Sequence, residues 1–193
     1  MFNRKDFILH KKGILSEEDC KRIIYYFETH QTEQKPGTVA GNSFETPDRK
    51  KDTEIHMNFN DKTPVSLWIL DCLNRCVGDY LQQYPFINTL YYWNVDQAFN
   101  LQRYKPNEGY FSLHCEHDGP PEEINKRLLA WMIYLNDVKD GGHTEFPHQK
   151  RKFQPRKGDV LIWPAYFTHP HRGIVSKTET KYIATGWYCY DDL

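Results

Sequence analysis

The sequence predicts an α+β domain dominated by strands. Two helix-like stretches lie before Pro85, β-rich segments of strand length follow, and 15% of the residues are aromatic. Aromatic side chains suit pleated, half-buried surfaces, and helices followed by a run of strands suit a sandwich or barrel core.

Each element has a local reason. Phe7 to His10 and Gly13 to Leu15 read as a short edge strand and its exit. Ser16 followed by Glu17, Glu18 and Asp19 marks a helix start, a capping hydroxyl followed by acids in the first turn. Cys20, Ile23, Ile24 and Phe27 continue its stripe to about His30. Residues 31–63 are polar and carry Pro36, Gly37, Gly41 and Pro47, which predicts a long loop with a short strand near 53–57. Pro64 opens a second helix, whose apolar face runs from Leu67 to Leu81, and Pro85 ends it. Strands are predicted at 89–94, 97–105, 110–116, 127–138, 160–163 and 181–190. The expected organisation is one domain over 1–193, with 1–88 as helical support and lid loop and 89–193 as the core.

Composition excludes several classes. Net charge is -1, so no basic face announces nucleic acid. No run of about eighteen apolar residues exists to span a membrane. Five cysteines, an odd number, with no apolar signal core near Met1 predict reduced thiols and a cytoplasmic setting. Cys72 and Cys76 read as small core residues of the second helix. Oligomeric state is not readable from these features.

The chemistry concentrates in two places. His114-Cys115-Glu116 puts an imidazole and a carboxylate at i and i+2, on one side of an extended strand. His169-Pro170-His171 supplies a distant third imidazole from either histidine. Two His and one carboxylate with open positions opposite form the facial triad of non-haem Fe(II) oxygenases. Lys181 opens an apolar strand, where a cation is either a solvated edge residue or a clamp for an acidic co-substrate. His117 and Asp118 are local rivals as ligands, and His143 reads as an exposed turn residue. Arg103 and Arg172 are candidates to meet an acidic group.

Taken together, these stretches resemble the Fe(II)/2-oxoglutarate-dependent dioxygenases of the prolyl 4-hydroxylase and lysyl hydroxylase type. The motifs are Leu101-Gln102-Arg103-Tyr104, His114-Cys115-Glu116, Tyr134-Leu135-Asn136-Asp137, Gly141-Gly142-His143-Thr144-Glu145-Phe146, Pro155-Arg156-Lys157-Gly158-Asp159, Thr168-His169-Pro170-His171-Arg172-Gly173 and Lys181-Tyr182-Ile183. The resemblance implies a double-stranded β-helix, or jelly roll, buttressed by the N-terminal helices. It implies iron on His114, Glu116 and a distal histidine; His171, ten residues before Lys181, has the family's spacing, whereas His169 stands twelve before. Lys181 and Tyr134 would bind the distal carboxylate of 2-oxoglutarate, and Tyr104 and Trp187 would line its pocket. O2 is the second co-substrate and ascorbate a candidate reductant. The implied reaction hydroxylates an unactivated C–H bond, the analogy being peptidyl proline or lysine, and releases succinate and CO2. Loop 31–63 and segment 117–126 are the expected lids.

Two departures stand out. Glu116 replaces the usual Asp, and Lys181 replaces the Arg of many relatives, giving a point charge without the bidentate fork. The rival readings are a non-catalytic jelly-roll binding or sensing module and a cupin-like metalloenzyme without co-substrate.

Overall fold

The structure, a computed structural model, describes residues 5–39, 48–117 and 125–191. In chain order it has β1 (Leu9–Lys11), α1 (Glu17–Thr29), β2 (Lys35–Pro36), β3 (Lys50–Lys51), β4 (Thr53–Asn58) and α2 (Pro64–Gln83). Then come β5 (Trp93–Tyr104), β6 (Gly109–Tyr110), β7 (Arg127–Tyr134), β8 (Thr144–Phe146), β9 (Arg151–Phe153), β10 (Val160–Pro164), β11 (Arg172–Gly173) and β12 (Lys181–Tyr190). A seven-stranded antiparallel sheet runs in the order β1-β10-β7-β12-β5-β4-β2. A smaller sheet runs β11-β8-β9, and β3 pairs with β6. The mainly-β expectation holds.

Both helices begin where their caps say. The Ser16 hydroxyl accepts from Asp19 N at 3.1 Å, and the Thr63 hydroxyl accepts from Ser66 N at 3.1 Å just before Pro64. α1 buries Cys20, Ile23 and Phe27, and α2 buries Ile69, Cys72, Leu73, Cys76 and Tyr80. Those stripes cover one face of the major sheet, packing with Phe99, Leu101, Trp131, Ile133, Ala184 and Tyr188. Gly186 faces the same side, where a Cβ would stand 2.6 Å from the Trp131 indole. Residues one step along each strand, Tyr104, Met132, Tyr134 and Ile183, turn to the opposite face, toward Phe146, Phe153 and Trp163.

Several expectations change. Only 93–94 of the segment 89–94 is strand, and it joins 97–104 in the single strand β5, whose residues pair with β12 and β4; 85–89 is a short 3-10 turn. Extended pairing at 110–116 stops at Tyr110; His114 returns as an isolated bridge to His171. The strand predicted at 127–138 ends at Tyr134. Loop 31–63 contains β2, β3 and β4, while residues 40–47 lie outside the described residues. The division at residue 88 is not a structural seam, since β1, β2 and β4 are strands of the major sheet.

Candidate active site

The two distant halves of the predicted triad meet through the backbone. His114 N donates to His171 O at 3.0 Å and His171 N donates to His114 O at 2.8 Å, a reciprocal antiparallel pair. Directly opposed residues of this kind put their side chains on one face. Glu116 is fixed next to them, its N–H donating to Ala165 O at 3.0 Å.

The imidazoles are oriented by their far nitrogens. Nδ1 of His114 lies 3.0 Å from Ser112 O, and Nδ1 of His171 lies 3.1 Å from His169 O. A carbonyl only accepts, so both Nδ1 atoms carry the proton and both Nε2 atoms present a lone pair. Glu116 Oε1 faces those lone pairs, 3.3 Å from His171 Nε2 and 3.7 Å from His114 Nε2. The three ligand atoms lie within 4.8 Å of one another.

That donor set fits a divalent ion. Three acceptors converge without a donor among them, an arrangement that a cation completes. Burial pushes the His114 pKa down to about 3, so its imidazole is neutral and ready to ligate. Tyr110 stacks on His114 at 3.5 Å, while Phe146 and Trp163 pack on His171 at 5.2 and 5.0 Å, so neither ring is free to turn.

A cavity of about 290 Å³ opens beside the triad, lined also by Gln102, Tyr104, Met132, Thr144, Ile183 and Trp187. Lys181 lies in its wall, fully paired in strand register opposite Tyr104. Its ammonium donates to Gly142 O at 3.1 Å and stands 4.8 Å above the Tyr104 ring. Gly142 adopts φ +70°, and a Cβ there would meet Val138 at 2.7 Å, so glycine lets this carbonyl reach the lysine. Among the described residues that carbonyl is the hydrogen-bond acceptor the ammonium has; its remaining N–H groups suit an anionic ligand. Burial pulls the Lys181 pKa down to about 8, against an opposing pull from Asp52.

The other predicted residues divide. Tyr104 lines the cavity, and its hydroxyl donates to Gln102 Oε1 at 2.8 Å. Trp187 lines it too, but its indole N–H goes to Glu116 Oε2 at 2.9 Å. Tyr134 is fully buried, its hydroxyl 2.6 Å from Thr144 Oγ1 and 3.2 Å from Phe153 O. Thr144 occupies the wall in its place. His169 turns away, its ring nitrogens engaged by Thr168 and by Asp6 O. His117 Nδ1 meets Arg127 O at 3.3 Å, and Asp118 lies outside the described residues. His143 is half-buried rather than exposed. Arg103 and Arg172 are held by Glu28 and Glu145, away from the cavity.

Sequence reasoning also missed Arg127, Lys50 and Glu54, all on the cavity wall. An alternation signal was present at Thr144, because β8 buries Thr144 and Phe146 and sends Glu145 outward. For Lys50 and Glu54 the signal is tertiary, since it depends on β3 pairing with β6 and on β4 lying beside β5.

The family model described as the 2OG-Fe(II) oxygenase superfamily matches residues 99–189, which contain the triad and Lys181. Over that segment the chain is similar to that superfamily. A protein named putative prolyl 4-hydroxylase from Acanthamoeba polyphaga mimivirus is 34% identical over 122 residues, 53% of this chain and 50% of that one. The chain spans about half the length of that relative. Among solved structures, viral collagen prolyl hydroxylase from Paramecium Bursaria Chlorella virus-1, a 2OG complex, superposes with a TM-score of 0.71 at 21% identity, covering 96% of this chain and 97% of that one. A Trichoplax adhaerens prolyl hydroxylase in complex with a hypoxia inducible factor peptide fragment reaches 0.73 at 15% identity, covering 96% and 84%. At these identities the two superpositions show the fold, the jelly roll of 2OG oxygenases.

Proposed function

We propose that this protein uses Fe(II), 2-oxoglutarate and O2 to hydroxylate an unactivated C–H bond of a peptidyl prolyl residue, releasing succinate and CO2. One observation carries the reading: three convergent acceptor atoms share a cavity with a buried ammonium that has donors to spare. The prolyl-hydroxylase names of the relatives, the 2OG in one structural neighbour and the peptide in another support the co-substrate and the substrate class.

Fe(II), when bound, supplies O2 activation coupled to decarboxylation of the 2-oxo acid. His114, Glu116 and His171 would hold it through Nε2, Oε1 and Nε2. The carbonyls of Ser112 and His169 keep both rings in the ligating tautomer. Lys181 would take the distal carboxylate, steadied by Gly142 O over the Tyr104 ring. Met132 and Ile183 make that part of the wall apolar and limit water beside the buried charge. Loop 31–63 and segment 117–126 remain the proposed lids, residues 40–47 and 118–124 of them lying outside the described residues, and ascorbate is proposed as reductant. The thiols of Cys20, Cys72, Cys76 and Cys189 are free, which supports a reducing, cytoplasm-like setting.

The test is succinate formation with Fe(II) and 2-oxoglutarate, run beside mass analysis of proline-rich and lysine-containing peptides. We expect peptide-dependent succinate and a hydroxylated proline, both absent in His114→Ala. Iron-loaded protein that forms no succinate under any of these conditions would overturn the reading, and hydroxylation confined to lysine would move the substrate class.

A further inference from the structure

A glutamate ligand differs from an aspartate in one respect that matters here. Its extra methylene gives it the reach and torsional freedom to offer a metal ion one oxygen or both. The two oxygens of Glu116 keep different company. Oε1 faces the Nε2 atoms of His171 and His114. Oε2 faces the other way, accepting the Trp187 indole N–H at 2.9 Å with an Arg127 guanidinium nitrogen at 3.8 Å.

The indole is itself held. The Arg127 guanidinium lies 3.7 Å from the Trp187 ring centroid and donates to the Glu116 main-chain carbonyl at 3.1 Å. Trp187 sits on β12 and Arg127 opens β7, adjacent strands of the major sheet. The two side chains grip both ends of Glu116, carbonyl and carboxylate, from one rigid surface.

We infer that Trp187 and Arg127 form a clamp that makes Glu116 a one-oxygen ligand; the inference rests on reading the triad as a metal site. With one oxygen from Glu116, the protein would supply three donors to the ion and leave room on it for a chelating 2-oxo acid and dioxygen, each in its own position. A glutamate bound through both oxygens would remove one of them. Trp187 is thus a positioning residue that acts through Glu116 and keeps a coordination site open. This explains how the longer acid serves where the family's usual ligand is Asp.

The experiment uses Mn(II) and the full chain. Trp187→Phe keeps an aromatic platform for Arg127 and deletes the N–H. Wild-type and variant are compared for Mn(II) affinity by the free-ion EPR signal, for metal-bound waters by proton relaxation, and for 2-oxoglutarate affinity of the Mn(II) form. The clamp requires that Trp187→Phe hold Mn(II) at least as tightly, with one fewer bound water and 2-oxoglutarate affinity reduced about tenfold or more. Arg127→Leu should shift the same readings in the same direction, and it carries the test alone if the Phe variant does not fold. An unchanged water count in a folded variant overturns the clamp and leaves the triad standing. Wild-type protein that takes up no Mn(II) overturns the metal reading, and the clamp with it.

Discussion

Two parts of the same cavity wall bury charge in opposite ways. At the triad, Glu116 Oε1 and two imidazole lone pairs converge with nothing among them to donate. On the far side of β5 from the strand that carries Lys181, β4 and the adjoining β3 bring in Lys50, Asp52 and Glu54, all buried. There the Lys50 ammonium contacts Glu54 directly and lies 3.4 Å from Asp52 Oδ2. Gln102 donates to Glu54 Oε1 at 2.7 Å, and Tyr104 donates to Gln102 at 2.8 Å. Buried carboxylate alone does not distinguish the two regions. The direction of the surrounding donors does: the β4 network contains its own cation, whereas the triad is built to receive one.

The largest expected effects separate these roles. His114→Ala or His171→Ala removes a ligand from a three-donor site, and retention of Mn(II) after desalting should be lost in each while the thermal midpoint changes little. Lys50→Met should do the reverse. It leaves two buried carboxylates without their ammonium, a loss of about 3–5 kcal/mol, while any folded fraction still binds Mn(II). Thermal unfolding and a metal titration on the three variants check the contrast, which breaks if Lys50→Met remains fully stable and metal-free.

Next comes Lys181. Deleting a buried ammonium that makes charge-assisted hydrogen bonds should weaken 2-oxoglutarate binding about 10–100-fold. A metalloenzyme without co-substrate would be indifferent to Lys181→Ala, so the same measurement tests that rival. The charge also sets a pH limit. The Lys181 pKa is pulled down to about 8 by burial, so the ammonium is lost as pH rises through that value, far below the ordinary lysine range. Affinity should fall above about pH 8, approaching tenfold per unit. Lys181→Arg, always charged, should flatten that limb whatever it does to absolute affinity.

What could be read from the chain alone tracks which physics is local. Ser16 and Thr63-Pro64 begin helices through bonds within three residues, so both starts were legible. His114 and Glu116 followed from alternation, and Lys181 from its place at the head of a β-rich strand. β2, β3 and β11 are two residues long and exist because a neighbour pairs with them, so no periodicity announces them. Tyr134 shows the other limit. It shares a face with Met132, which does reach the cavity, but β8 lies over its end of β7 and puts Thr144 between its hydroxyl and the open space. Lys50 stood in a stretch read as a long polar loop and Glu54 in the short strand expected near 53–57; the pairings of β3 with β6 and of β4 with β5 set both in buried positions.

The smallest expected effect concerns the weak point of the β4 network. Both oxygens of Asp52 are buried without a hydrogen bond among the described residues, although Lys50 is near. Burial, partly opposed by Lys50, pushes the Asp52 pKa up to about 7. An acid whose pKa is higher folded than unfolded holds its proton more tightly in the native state. Its favourable contribution is therefore complete below the unfolded value near 3.8 and fades as pH rises through about 7. Asp52→Asn removes the ionisation while keeping size and a polar head. Thermal midpoints should then differ little at pH 5, with the variant the more stable protein at pH 8. Equal midpoints at both pH values would mean that Lys50 compensates Asp52 as fully as Glu54, and that the β4 network has no weak member.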